Sequence, residues 1–270
     1  MPELPEVETV RRQLKKLVLN KPIIGVTSNY EKIFNGNIKE LEKVLTNNEI
    51  IDVERYGKYL VFILKDNHVL ISHLRMEGKY FVKNEGDEIN KHEHIIFHFN
   101  NNQNLRYHDT RKFGRMDLRT KDNYLKVDPL HKLGSEPEFM KEGELYNLLN
   151  KKNVFIKVAL LDQTIIAGLG NIYVDEVLFL SKIHPNRRSN EISLEEANLI
   201  TKNAKLVLEK ATKLGGTTIK SFSVGEVDGL FQNELLIHTK VGEPCPVCGE
   251  EIVKIKVGGR GTYVCNNCQK

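Results

Sequence analysis

At 270 residues the chain is long enough for roughly two or three domains, each with a core of its own. Its 40% hydrophobic and 28% charged residues, with a net charge of +4, describe a globular protein and exclude a disordered or collagen-like one. No apolar run reaches the length of a membrane span, and the N-terminus lacks the basic-then-apolar layout of a secretory signal, so a cytosolic protein is expected.

The chain opens MPELPEVET. Pro2 is small enough for the initiator methionine to be removed, which would leave a free secondary amine beside Glu3 and Glu6. An α-amine has a pKa of about 7.7–8.0, so an appreciable fraction is neutral and nucleophilic near pH 7. Such amines attack aldehyde-like carbons to form Schiff bases, and a proline nitrogen can do so only as a free N-terminus. Glu3 and Glu6 could supply the acid and base that this chemistry needs. The plainer reading is a solvated lead-in to a helix, because Pro and Glu both suit a first turn. Val7, Val10, Leu14, Leu17 and Val18 then recur at three- and four-residue steps, which predicts one amphipathic helix ending near Asn20-Lys21-Pro22.

From about residue 23 to 119 the signals are strands, among them 59–64, 68–74, 94–99 and 105–107, with turn-formers between several of them. Their spacing predicts an antiparallel sandwich or barrel. Lys58, in RYGKYL, stands at a strand start as a further amine or phosphate contact. Met76, in HLRMEGKY, lies on a turn. In RYHDTRKFGR, Arg111 and Phe113 are two apart, and strand alternation would point both the same way. Alone, Met76 and Phe113 read as core residues. In company with Arg111 they read as apolar wedges that fill the space left by an extruded base.

After the strands the period changes. Residues 138–150, 153–162 and 171–181 read as helices, the last following a tight GLGN turn. A long helix spans 194–214, with Ser193 as N-cap, Glu196 in the capping-box position and Gly215-Gly216 at its end. Basic residues gather in two segments. Between 106 and 121, Arg106, Arg111, Lys112, Arg115, Arg119 and Lys121 face only Asp109 and Asp117; between 182 and 220, eight lysines and arginines face four glutamates. That distribution suits a polyanion, although a solvated lysine-rich surface explains it equally well.

All four cysteines follow residue 244, as Cys245, Cys248, Cys265 and Cys268. This C-x2-C-x16-C-x2-C spacing reads as one structural zinc in a reducing compartment, each pair clamping one side of the metal. The module is too small for a substantial core, so metal binding would supply much of its folding energy. Between the pairs, Gly258-Gly259-Arg260-Gly261 forms a hairpin turn whose arginine suits a phosphate, or is simply solvated.

MPELPEVETVRRQL, RYGKYL, HLRMEGKY, RYHDTRKFGR, AGLGNIYVDEVLF, GGTTIKSF, GLFQNEL and GEPCPVCG…GGRGTYVCNNCQK, in this order, resemble formamidopyrimidine-DNA glycosylase over essentially the whole chain. The resemblance implies a bifunctional enzyme that excises oxidised purines such as 8-oxoguanine and formamidopyrimidines and then cleaves the strand. It implies that Pro2 is the nucleophile, Glu3 the proton donor to the opening sugar and Glu6 a supporting carboxylate. Lys58 would assist at the lesion and in β-elimination, and Arg260 would grip the phosphate and act in δ-elimination. Met76, Arg111 and Phe113 would fill the void, and His73, His92, Lys152 and Asn171 would contact the DNA backbone. The helices from about 153 to 214 resemble the helix–two-turn–helix module, and 217–229 the lid over the everted base. His238 stands where many members carry tyrosine, and the lid is slightly short.

The expected fold is therefore α+β and multidomain: an N-terminal helix with an antiparallel β-sandwich over 1–131, a helix–two-turn–helix DNA-binding domain over 132–224, and a lid region with a four-cysteine β-hairpin zinc finger over 225–270. The expected partner is double-stranded DNA containing oxidised bases, bound by a monomer in the bacterial cytosol without a membrane. Two rivals remain: an endonuclease VIII-like glycosylase for oxidised pyrimidines, which usually begins Pro-Glu-Gly and lacks the TRKFG wedge, and a non-enzymatic zinc-ribbon DNA-binding protein, which leaves PELPE unexplained. A catalytically dead paralogue gains no support from the retained Pro2, Glu3 and Lys58.

Overall fold

The computed structural model describes residues 1–217 and 229–270, which divide between two units. The first comprises Met1–His131 with Gly215–Gly229, and the second Lys132–Leu214 with Leu230–Lys270. The expected lid falls almost wholly on 218–228, outside the described residues.

The first unit begins with α1 (Leu4–Val18). Val7, Val10, Leu14 and Val18 lie on one face and are almost fully buried, as their helical spacing requires. The helix stops where Asn20 takes a positive φ of 57° ahead of Pro22, and Lys15 and Lys16 in its last turn oppose the helix dipole. Two four-stranded antiparallel sheets follow. One has the order β1 (Ile23–Ser28), β6 (Glu93–Phe99), β7 (Gln103–His108), β5 (Lys79–Asn84); the other β2 (Ile50–Tyr56), β3 (Tyr59–Leu64), β4 (His68–His73), β8 (Arg115–Thr120). Phe62, Leu64 and Leu70 of the second sheet share a core with Ile23, Phe97 and Leu105 of the first. Each such fully buried side chain contributes about 1.5–3 kcal/mol.

One helix in this unit departs from the expected run of strands. Helix α2 (Ile38–Leu45) buries Leu41 and Leu45 and is capped by Asn37, whose side chain accepts the Lys39 N–H at 3.0 Å. Two helical turns carry too few apolar repeats to stand out, and the β-branched Ile38 and Val44 mimic a strand.

In the second unit, α3 (Glu144–Leu149) and α4 (Ile156–Leu161) are shorter than the helices expected over 138–150 and 153–162. Gly143, left-handed at φ 74°, breaks the first run, and Phe155 pairs as an isolated bridge with Arg188 before the second begins. Helix α5 (Asn171–Leu180) follows the GLGN turn. Helix α6 (Leu194–Lys213) starts on the expected box, with Ser193 Oγ accepting the Glu196 N–H and Glu196 accepting the Ser193 N–H. A final hairpin, β9 (Val253–Val257) with β10 (Arg260–Val264), lies between the two cysteine pairs. Among the described residues no helix is long and apolar enough to cross a membrane.

Candidate functional site

The start of α1 is built to hold two carboxylates still. Glu3 is its N-cap, and a reciprocal capping box joins it to Glu6, whose Oε2 accepts the Glu3 N–H at 2.9 Å. The other oxygen of Glu6 accepts the Thr217 N–H at 2.8 Å and its hydroxyl at 3.2 Å. Gly216 has a φ of 81°, and a Cβ there would lie 2.6 Å from Glu6 Oε1, so this close approach needs glycine. Pro2, Glu3 and Glu6 are all buried. Lys58, also buried, occupies the two-residue turn Gly57-Lys58 between β2 and β3, with Gly57 at φ 54°. The Met1 amine is held below its ordinary value of 8.0 chiefly by burial, with Glu3 and Glu6 opposing the shift and Lys58 adding to it. One corner thus brings together the chain start, two carboxylates and a lysine.

Next to this corner, His73 at the end of β4 is kept neutral. Burial, then the charges of Arg75 and Lys58, lower it to about 3. Its Nδ1 accepts the Arg75 N–H at 2.9 Å, so the proton sits on Nε2 as a donor.

Two turns carry the expected wedge. Met76, half-buried, sits in the turn after β4, and Arg111 and Phe113 sit in the turn between β7 and β8. The Thr110 hydroxyl donates to the Glu77 carboxylate and ties the two turns together. Arg111 and Phe113 do face together, with the guanidinium carbon 4.6 Å from the ring centre, but strand alternation is not the cause. They lie on a loop in which Lys112 takes φ 58° and the fully buried Asp109 accepts the N–H groups of Arg111 and Gly114 at 3.0 and 2.8 Å. Phe113 is 48% exposed, so it is not a core residue. Gly78 and Gly114 both close on Tyr107, where added Cβ atoms would meet its hydroxyl at 2.4 and 1.6 Å. His92 lies beside the same loop, its carbonyl accepting the Asp109 N–H at 3.0 Å.

In the second unit, Asn171 opens α5 and donates its amide to the Gly261 carbonyl at 3.1 Å, which brings it to the Arg260 turn. That turn has left-handed glycines at 258 and 259, and a Cβ on Gly258 would lie 2.4 Å from Val158 of α4. Lys152 has a partner of its own, Asp162, at 2.6 Å. Behind Asn171 lies a network that the sequence reading missed. Buried Lys157 bonds Asp175 at 2.6 Å and the Gly261 carbonyl at 3.2 Å, and the other Asp175 oxygen meets His238 Nδ1 at 2.8 Å. Glu176 accepts three successive N–H groups, from Leu236, Ile237 and His238, while burial raises its pKa. The signal was two adjacent acids in the otherwise apolar NIYVDEVLFLS, since buried charges demand partners.

The four cysteines converge, with all sulfurs within 4.8 Å of one another. Cys245–Cys268 and Cys248–Cys265 stand at 3.8 and 3.5 Å. A tetrahedral zinc with bonds of about 2.3 Å needs sulfurs about 3.8 Å apart, so the set fits that ion. Hydrogen bonding to Asn267 brings the Cys248 thiol down to about 6, whereas burial and then the other sulfurs push Cys268 up to about 12, and burial raises Cys265. A bound cation is what allows all four to be thiolates at once.

Against known proteins, residues 1–116 match the model for the formamidopyrimidine-DNA glycosylase N-terminal domain, 133–223 that for the same enzyme's H2TH domain, and 242–270 that for a zinc finger found in FPG and IleRS. The formamidopyrimidine-DNA glycosylase of Mycoplasma mobile is 48% identical over 100% of this chain and 99% of its own. A variant of the Lactococcus lactis enzyme in complex with Fapy-dG-containing DNA is 44% identical with a TM-score of 0.95, each chain covered in full. The same organism's enzyme with abasic-site DNA gives 43% and 0.93, again over both chains entirely.

Proposed function

Because the chain belongs to the formamidopyrimidine-DNA glycosylase family, we propose that its N-terminal proline carries the reaction and that the residues gathered around it divide the proton transfers. The chain is a DNA-repair glycosylase and abasic-site lyase that excises oxidised purines, with one structural zinc in its four-cysteine finger.

With Met1 removed, the Pro2 nitrogen attacks C1′ of the damaged nucleoside. Its lone pair forms the N–C1′ bond while the C1′–base bond breaks. The base leaves with that electron pair and takes up the proton that the Pro2 nitrogen gives up, which restores the nitrogen lone pair. Glu3 protonates the ring oxygen as the sugar opens, which yields the iminium between Pro2 and C1′. Removal of a C2′ proton expels the 3′ phosphate, and a second elimination expels the 5′ phosphate. Hydrolysis of the iminium then frees Pro2. Glu6, locked between the Glu3 and Thr217 amides, fixes the helix start rather than moving a proton. Lys58 supports the lesion and the first elimination, and Arg260 holds phosphate for the second. His73, His92, Lys152 and Asn171 bind backbone phosphates, while Met76, Arg111 and Phe113 occupy the space beside the extruded nucleotide. The zinc closes the hairpin that bears Arg260 and takes no part in bond making.

Functionally the chain falls into a catalytic segment, 1–131, a DNA-gripping segment, 132–224, and the lid and zinc finger, 225–270. It acts as a monomer on double-stranded DNA in the bacterial cytosol. The observation that carries this reading is the meeting of buried Pro2, Glu3, Glu6 and Lys58 at the start of α1.

Borohydride trapping on a duplex with a single 8-oxoguanine tests it. Wild type should trap, Pro2→Gly should weaken trapping, and Glu3→Gln should abolish base excision. An N-terminal extension that retains Met1 should cost roughly a thousandfold or more. The trapping rate should rise with pH as the Pro2 amine loses its proton, and the burial that lowers the Met1 amine at this corner should keep the midpoint below the ordinary 8.0. Cleavage that survives both substitutions would overturn the mechanism.

A further inference from the structure

Helix α1 is joined to strand β2 by a ladder of polar contacts. Lys15 pairs with Asp52 at 2.6 Å, Arg11 NH1 donates to the Val53 carbonyl at 3.3 Å, and Arg55 Nε donates to Glu8 at 3.2 Å. The outer rung is exposed and screened, so it adds little. The inner rung is different. Glu8 and Arg55 are only 11% and 14% exposed in their side chains. Arg11 and Arg12 also converge on Glu8, at 2.7 and 2.8 Å, so the carboxylate gathers three guanidinium groups.

Arg55 does more than close an ion pair. Its NH1 donates to the Gly57 carbonyl at 3.0 Å. That carbonyl belongs to the peptide group joining Gly57 to Lys58, in a turn whose glycine is left-handed. Holding the plane of that peptide sets the direction of the Lys58 N–Cα bond and so narrows where its side chain can point. The other end of the relay, Glu8, lies on the same helix as Glu3 and Glu6, less than two turns further on.

We infer that Arg55, anchored on Glu8, is a positioning residue that sets Lys58 relative to the Pro2 amine, through the Gly57 carbonyl. The inference rests on the role of Lys58 proposed above. Neither Glu8 nor Arg55 touches the DNA in this reading. A planar guanidinium can hold a carboxylate and a carbonyl at once, whereas a lysine offers a single point of charge. The strongly lowered pKa of Glu8, about 2, in which the hydrogen bonds and charges of Arg11, Arg12 and Arg55 outweigh its burial, means that the anchor keeps its charge throughout the working pH range.

A double-mutant cycle on the full-length, Met1-processed enzyme separates positioning from bulk stability. The measurement is the single-turnover cleavage rate of a duplex with 8-oxoguanine opposite cytosine, with Kd and Tm measured alongside. Arg55→Lys should lower the rate roughly tenfold while changing Kd by less than about twofold. In a Lys58→Ala background the same change should cost less than about twofold, because the group being positioned is gone. Glu8→Gln, which keeps shape but removes the anchoring charge, should show a smaller loss, about threefold, that likewise vanishes without Lys58, and it decides the matter should Arg55→Lys fail to fold. An equal loss in both backgrounds, or no loss where Lys58 is intact, overturns the inference while leaving the mechanism intact. Full-rate cleavage by Lys58→Ala itself removes the underlying role of Lys58, and the inference falls with it.

Discussion

The protein presents two arginines on two turns that are held by opposite means. In the first unit, the loop bearing Arg111 is organised by Asp109, a carboxylate with 0% exposure, and rests on Tyr107, itself part of the large apolar core between the sheets. In the second unit, the turn bearing Arg260 tips a hairpin whose core is little more than Phe179, Ile237 and Ile252 with two of the cysteines. A large core can bury a carboxylate and satisfy it with backbone N–H groups, and the loop is organised around that carboxylate. A hairpin of five-residue strands cannot, and four thiolates around a metal take the place of the missing apolar surface.

The strongest way to break this contrast is to remove the zinc, by chelation or Cys248→Ser. DNA affinity should fall roughly a hundredfold or more, since the Arg260 turn and the neighbouring Asn171 lose their frame, while the first unit keeps its fold. Zinc content and fluorescence-based binding check it together, and wild-type affinity in metal-free protein would discard the structural role of the metal. Gly114→Ala attacks the other turn. Its Cβ would meet the Tyr107 hydroxyl at 1.6 Å, so the loop must move, at a cost of about 1–3 kcal/mol in denaturant unfolding. Zinc content should be unchanged and lesion capture reduced; an unaltered enzyme would show that the loop tolerates displacement. The mildest probe is Arg111→Ala, which leaves both supports in place. Stability should stay within about 0.5 kcal/mol of wild type. Capture of lesions opposite cytosine should drop roughly tenfold, or about 1.4 kcal/mol of transition-state stabilisation. Undiminished capture would remove Arg111 from the wedge.

Much of the site was readable before any fold was known, and unevenly so. Ser193 and Glu196 announced the start of α6 because a capping box is a local signal, complete within four residues. The cysteine spacing announced its metal for the same reason: ligand chemistry and hairpin length are both written in one short segment. Helix α2 was not legible, because two turns among strands leave only Leu41 and Leu45 to reveal the period. The pairing of Arg111 with Phe113 was anticipated from alternation, yet it arises from a left-handed Lys112 and from Asp109, which folds the loop back on itself. Gly143 likewise cut short a helix that its neighbours' periodicity extended.

From sequence alone came the chemistry available: a proline at position 2 with Glu3 and Glu6, a lysine on a strand-opening turn, and four thiols spaced for zinc. Each depends on residues a few positions apart, where spacing and covalent geometry leave few choices. What only the tertiary structure decided is how distant segments hold those groups. Thr217 bonds Glu6 across 211 positions of chain, Arg55 spans from Glu8 to Gly57, and Lys157 links Asp175 to Gly261. Such contacts are chosen because a buried charge must find a partner, and which partner lies within 3 Å or so is a property of the folded core, not of any stretch of sequence.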